Sequence, residues 1–443
     1  MARQMKDSGV EWIGQIPEDW NVARLCDIKS EKKFAIVDGP FGSAISTNDY
    51  REKGVPLIRI SNLKNGEVSD EDMVYISEEL AESVRRSCIG LSDIVFAKTG
   101  ATIGKCGINR LIKYGILASS CIKISISHKY NCDYFYYIFS TDQFNQALRN
   151  TCTGTTRDTI NLTPFSKLNV LLPPYCIQNR IASYLDRKCA EIDAIIAKQQ
   201  QIIEKLKEYK LSVITEAVTK GLDPNVPMKD SGVEWIGKIP EHWAIHKFCW
   251  DYSAMLGKML DAKRITGDSL HPYIKNADVQ WDFINFENLD EMDFSDEEKE
   301  RYSICPGDLM VCEGGEIGKC AVVPNDAPNG IYYQKALHRV RRQRQNSGSI
   351  DFLSKVLYCM AKNNCLNTSP EKATIAHLPG DALSQLRIPA PPFREQNQIA
   401  GYLKKKCAKI DEMAVRKQAV VEKLQKYKKS LIYEVVTGKR EVS

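Results

Sequence analysis

Apolar residues recur at every seventh position in two stretches of the chain. Leu185, Ile192, Leu206 and Val213 fall on one such grid, with Gln199 in the gap between. Leu403, Ile410, Leu424 and Leu431 fall on a second, with Lys417 in the matching gap. Ile195, Ile202 and Tyr209 stand three residues after grid positions in the first stretch, and Tyr427 does so in the second. The pattern predicts a coiled-coil-like seam on two long helices. Pro173-Pro174 and Pro391-Pro392 end the strand-like runs before them; the first stretch then meets no Gly or Pro until Gly221, and the second has Gly401 and then none until Gly438. About 42 residues at about 1.5 Å each make a rod roughly 60 Å long. A lone rod would leave its apolar stripe wet, so the two are expected to pack on each other. Antiparallel packing would set the globular parts at opposite ends about an approximate two-fold axis. Parallel packing would crowd them together.

The rods belong to a larger repeat. MKDSGVEWIGQIPEDW (Met5 to Trp20) returns as MKDSGVEWIGKIPEHW (Met228 to Trp243), and the segment from Leu168 to Thr219 returns from Leu386 to Thr437. Between these borders the halves diverge, with a faint shared skeleton. Pro56 to Arg59 answers to Pro272 to Lys275, and SDIVFAKTGATIGKC (Ser92 to Cys106) to GDLMVCEGGEIGKC (Gly307 to Cys320). Acidic helix starts precede both, at Ser77 and Ser295, and Ser295 and Glu298 have capping-box spacing. The chain reads as a duplicated variable core followed by a fixed helix. Trp12/Trp235 and Trp20/Trp243 suit packing at the junction of core and helix better than contact with a ligand.

At 443 residues the chain suits two or three domains. No apolar run approaches the roughly 20 residues of a membrane helix, and MARQMKDSGVEW has no apolar signal core, so a cytoplasmic location is expected. None of the 15 cysteines is spaced as CxxC and the 6 histidines are scattered, which predicts free thiols and no metal site. The net charge of +5 permits a nucleic-acid partner without requiring one.

Several motifs look like enzyme signatures and fail on chemistry. GATIGKC (Gly100 to Cys106) and GGEIGKC (Gly314 to Cys320) have three residues between their outer glycines, where a phosphate-binding loop needs four, and Cys where it needs Ser or Thr. A Gly-rich turn offering Lys105 and Lys319 to a polyanion, or a hairpin turn with a solvated lysine, fits better. LPPY (Leu172 to Tyr175) and APPF (Ala390 to Phe393) lack the leading Asn or Asp that an adenine methyltransferase needs to hold the base amine. The run His338 to Arg344 would place Arg339 and Arg341 on one face of a strand, facing phosphates or simply solvating an edge. Lys404 to Lys406 opens the second rod and faces either a DNA backbone or water.

Together the doubled KDSGVEWIGxIPExW phrase, the doubled PPxxxQNxIAxYL helix start, DIVFAKTGATIGK and DGPFGS (Asp38 to Ser43) resemble the specificity (S) subunits of type I restriction-modification systems. The resemblance covers nearly the whole chain. The second core departs from it, with EGGEIGK replacing KTGATIGK and nothing matching DGPFGS. What it implies is an α+β chain: two globular α/β target-recognition domains in pseudo-two-fold tandem repeat, separated by two long antiparallel coiled-coil-like helices. The corresponding bounds are residues 1–170 and 221–388 for the domains, and 171–220 and 389–443 for the helices.

The resemblance further implies a subunit without catalysis of its own. Each domain would read one half of a split asymmetric target in double-stranded DNA. The helices would set the spacer and dock two methyltransferase subunits, and motor-nuclease subunits would join. S-adenosylmethionine, ATP and Mg would sit on those partners and not on this chain. Base reading calls for basic, amide and hydroxyl side chains on exposed loops. In the first core that points to Arg59, Ser61, Asn62, Lys98, Thr99, Lys105 and Arg157, and in the second to Lys275, Asn276, Lys319, Gln334 and Lys335. Two rivals, a coiled-coil scaffold without DNA contact and a fused methyltransferase-nuclease, rank below this reading.

Overall fold

The structure is a computed structural model that describes residues 4–41, 44–152, 158–259, 267–366 and 377–442. The chain divides into two compact units. One comprises Met1–Gln199 and Ala419–Ser443, the other Gln200–Gln418. The division falls inside both long helices, Tyr175–Lys220 and Phe393–Val436.

The first unit opens with the hairpin Met5–Asp7 and Gln15–Pro17. Asn21–Arg24 then pairs with Asn169–Leu172, so the start and end of the core are stitched together. Between them lies a six-stranded sheet in the order Ile36–Asp38, Cys121–Ser125, Asp93–Ala97, Cys106–Ile108, Glu67–Val68, Leu63–Lys64. A four-stranded sheet runs Val74–Ile76, Val55–Ile58, Gly115–Leu117, Cys88–Ile89. Ser77 caps the helix Glu78–Ser83, as its acidic start predicts, accepting from Leu80 N at 3.2 Å.

The second unit repeats this plan. Its opening hairpin is Met228–Asp230 with Lys238–Pro240, and Ala244–Lys247 pairs with Arg387–Ala390. One sheet runs Tyr252–Leu256, Leu337–Arg342, Leu309–Cys312, Cys320–Val322, matching the first four strands of the six-stranded sheet. The other runs Asp290–Asp293, Leu270–Ile274, Tyr332–Tyr333. One parallel pair recurs in both units: Val55–Ile58 with Gly115–Leu117, and Leu270–Ile274 with Tyr332–Tyr333. Ser295 and Glu298 form the expected capping box.

Each unit holds stretches of both long helices, and within each they run antiparallel. In the first, Arg180 donates to the Val442 carbonyl and Lys428 Nζ lies 2.6 Å from Asp193. In the second, Lys210 Nζ lies 2.8 Å from Asp411, and Gly221 lies beside Glu395. Leu185, Ile192 and Leu431 join Trp20, Phe96, Phe139 and Phe165 in the first core. Ile214, Val218 and Leu403 join Trp243, Phe248 and Val356 in the second. Apolar burial at about 25 cal/mol per Å² therefore stabilises domain and helices as one body within each unit. Trp20 and Trp243, each 1 % exposed, are packing residues as their place in the repeat suggests.

The seam needs one correction. Leu185, Ile192, Leu403, Ile410 and Leu431 are buried and Leu206 and Leu424 half-buried, so the seven-residue grid faces inward. Ile195, Ile202, Tyr209 and Tyr427, expected beside it, are exposed at 45 %, 37 %, 48 % and 48 %. The second column of the seam falls four residues after the grid, at Cys189, Ile196, Ile203, Cys407 and Val421. At 3.6 residues per turn a position four ahead is rotated about 40° from the grid and one three ahead about 60°, so the narrower stripe wins.

Candidate nucleic-acid interface

Four strand ends meet in each unit, and hydrogen bonds between their loops fix the meeting. In the first, Ala118 N donates to Ile58 O at 2.9 Å, Lys98 N to Ser120 O at 2.7 Å and Gly39 N to Cys121 O at 2.9 Å. The ends of Ile36–Asp38, Val55–Ile58, Asp93–Ala97 and Gly115–Leu117 thus open onto one face. In the second, Gln334 N donates to Ile274 O at 3.0 Å, Glu313 N to Ala336 O at 2.9 Å and Lys258 N to Tyr333 O at 3.1 Å. These join the equivalent four strands. The candidate residues on described positions all lie on these loops or on the Gly-rich turns beside them; Arg157 lies outside the described residues.

Their individual settings differ. Ser61 and Lys105 are exposed and Thr99 is half-buried, bridged to Thr159. Lys98 is ion-paired with Asp38. Arg59 donates to the Asp72 carbonyl and lies 5.8 Å from the Tyr50 ring centre. In the second unit Lys335 is exposed, Gln334 half-buried, and Lys275 bonded to Asp290. Asn276 Nδ2 donates to Gly314 O at 2.6 Å, tying its loop to the Gly-rich turn.

Two candidates, Asn62 and Lys319, are drawn inward. Asn62 is fully buried; its Oδ1 accepts from Arg59 N at 3.0 Å and its Nδ2 donates to Glu71 O at 3.1 Å. Asp278 does the same for Lys275 N at 2.8 Å, so an Asx side chain shapes this loop in both copies. Lys319, expected to be presented like Lys105, is only 9 % exposed. Leu366 covers its turn, with its Cδ1 2.2 Å from where a Cβ on Gly318 would stand.

The basic run also turns inward. Arg339 and Arg341 do share a strand face, but Arg339 Nη1 donates to Arg301 O at 3.1 Å and to Ser303 O, closing the C-terminal end of the helix Asp296–Tyr302. Burial lowers the basicity of Arg339, whereas the bond to Asp308 raises that of Arg341. Arg341 Nε lies 2.6 Å from Asp308. Orphan helix carbonyls and a carboxylate take the place of phosphates.

The Gly-rich turns are backed by buried thiols. Burial pushes Cys106 up to about 12 and raises Cys320 as well. Among the described residues no group of His, Cys, Asp or Glu side chains is placed to hold a metal ion, and no helix is long and apolar enough to cross a membrane.

Residues 17–208 match the family described as Type I restriction modification DNA specificity domain. The chain is 21% identical to the EcoKI specificity subunit of Escherichia coli K12 over 87% of this chain and 82% of that one. It is 23% identical to the putative MjaX specificity subunit of Methanocaldococcus jannaschii over 96% and 95%. The chain is thus similar to type I specificity subunits over most of its length. Its fold agrees with two solved structures, each at 13% identity. A chain from a study of complex assembly and conformational transition of the type I R-M system matches with a TM-score of 0.69, over 95% of this chain and 98% of that one. The HsdS subunit of Thermoanaerobacter tengcongensis matches at 0.55, over 98% and 100%.

Nothing in the sequence pattern marks Arg149 as a partner of this face. It stands in the helix Asp142–Asn150, and its Nη2 donates to Ala101 O at 3.1 Å and Ile103 O at 2.8 Å, clamping the first Gly-rich turn from behind. Its position in a polar, amphipathic helix gave no sign of a partner loop 46 residues away.

Proposed function

We propose that this chain is the non-catalytic DNA-reading subunit of a type I restriction-modification complex, working in the cytoplasm. The observation that carries the reading is the duplicated four-strand face, built on the same strands in both units while its side chains differ. A constant platform with variable loops suits a protein that must change target without changing assembly. Target-recognition domains at residues 1–170 and 221–388 would each read one half of a split site. Arg59, Ser61, Lys98, Thr99 and Lys105 serve the first half, and Lys275, Asn276, Gln334 and Lys335 the second. Arg and Lys suit guanine edges and phosphates, and Asn and Gln suit adenine edges.

The helical segments 171–220 and 389–443 serve as spacer and dock. Exposed Ile195, Val420 and Tyr427 in the first unit, and Ile202, Tyr209 and Met413 in the second, occupy equivalent heptad positions outside the seam. Such duplicated apolar columns suit two copies of one partner, the methyltransferase subunit, with motor-nuclease subunits joining the assembly. The spacer reading has a direct test. Four residues added after Gln199 and four before Val421 lengthen both helices by about 6 Å and keep their pairing. The gap between half-sites should widen by about two base pairs at about 3.4 Å each. An active variant that keeps its original gap contradicts the spacer role.

A further inference from the structure

Phe41 is 88 % exposed and Met259 67 %. Single exposed apolar side chains are common on protein surfaces and carry no meaning alone. These two occupy the same register. Asp38-Gly39-Pro40-Phe41 leaves the strand Ile36–Asp38, and Leu256-Gly257-Lys258-Met259 leaves its counterpart Tyr252–Leu256. The sequences share only the glycine, yet both put a large apolar side chain two residues beyond it.

The glycine explains why the position is rigid. A Cβ on Gly39 would stand 1.9 Å from Ala118 O, and one on Gly257 2.4 Å from Gln334 O, so only glycine lets these strands press on the adjacent loop. Gly39 N donates to Cys121 O at 2.9 Å and Gly257 N to Leu337 O at 3.0 Å. In the first unit Lys98 bonds Asp38 just before the glycine, and Pro40 fixes the backbone just after it. In the second, Lys258 Nζ reaches Asp293 O at 2.6 Å, and exposed Lys335 donates its N–H to Lys258 O at 2.8 Å. Each apolar tip therefore follows a pinned backbone on the four-strand face, whose loops also carry exposed Ser61 in the first unit and exposed Lys335 in the second.

On DNA such a tip can meet a thymine methyl or enter the gap between stacked bases, and only the gap can cover a whole Phe or Met side chain. Phe and Met are among the side chains that enter such steps and unstack them. We propose that Phe41 and Met259 are wedge residues, each entering the base stack of the half-site read by its own unit. The proposal rests on the DNA-reading function above. The wedge adds affinity and local unstacking with little base preference, leaving discrimination to the polar side chains around it.

The test uses the full chain assembled with its methyltransferase subunits, and a duplex bearing the methylated motif mapped in cells that carry it. 2-Aminopurine is placed at successive positions of each half-site. The wild-type complex should brighten the probe at one step per half-site. Phe41→Ala should abolish the signal in one half only and weaken binding on the order of tenfold or more, and Met259→Ala should do so in the other. Phe41→Trp should restore both. Failure of the wild-type complex to retain the duplex would overturn the DNA-reading function itself. Retention with unchanged fluorescence and affinity in both alanine variants would overturn the wedges alone. Loss of methyltransferase binding in Phe41→Ala, with DNA signals intact, would also overturn them, in favour of a protein contact.

Discussion

Gly438, at the end of the second long helix, lies against Trp20 from the opposite end of the chain. A Cβ there would stand 2.5 Å from Pro17 Cγ and 3.0 Å from Trp20 Cη2. Gly221 meets Trp243 in the same way, with a Cβ 3.2 Å from the ring. Both glycines follow the last turn of a long helix with positive φ, +70° and +78°. The junction made locally in the second unit is thus made in the first by the two ends of the chain. The doubled opening phrase is retained because it is one half of this joint.

Alanine at either glycine costs about 1–2 kcal/mol for the left-handed backbone alone, with contact strain added. Gly438→Ala should be the worse of the two, since Pro17 stands closer than any neighbour of Gly221. Hydrogen exchange is the check. Gly438→Ala should speed exchange in Met5–Pro17 and leave Met228–Pro240 unchanged, and Gly221→Ala should do the reverse.

Asp93 and Lys123 form an ion pair at 2.6 Å, each side chain 6% exposed, with Ser125 Oγ completing the network on Asp93. In the second unit Asp308, the counterpart of Asp93, pairs instead with Arg341, which stands at the register position of Ser125. Lys123→Met alone should destabilise the first unit by about 3–5 kcal/mol, because it strands a buried carboxylate. Combining it with Asp93→Leu should recover most of that loss. Denaturant melts of the single and double variants measure both.

Arg149 holds the Gly-rich turn without reaching its outer surface. Arg149→Met should leave thermal stability nearly unchanged, raise exchange at residues 101–105 and weaken DNA retention several-fold. Arg149→Lys, which lacks the two-pronged fork, should restore retention only partly.

His338 is 1 % exposed, with Nε2 2.9 Å from the Leu378 carbonyl. That nitrogen must carry the proton, leaving Nδ1 with no partner among the described residues. Burial lowers its pKa from 6.5. The unfolded chain then takes up a proton that the folded unit refuses, so stability rises with pH through this window. It is fully present above about 6.5 and lost as pH falls towards the folded value. Unfolding midpoints of the second unit should drop on acidification below 6.5. His338→Gln should flatten that dependence.

The long helices and the capped acidic starts were legible in the sequence, because heptad spacing and capping are local rules, whereas the antiparallel pairing came only with the family resemblance. The seam column was not. Ile195 and Ile196 are both apolar, and only burial chooses between them. Asn62 and Lys319 looked like readers because residue type does not reveal whether an amide is spent on a backbone or a lysine lies under Leu366. The equivalence of Gly257 with Gly39 was equally hidden, since strand register alone joins two segments that share one residue.

Selection of duplexes from a randomised pool, with the chain assembled with methyltransferase subunits, decides whether the two units read DNA separately. A split, asymmetric motif with a fixed gap should emerge. Exchanging Lys275, Asn276, Gln334 and Lys335 should alter one half and leave the other untouched. A continuous palindrome, or changes spread across both halves, would contradict separate reading by the two units.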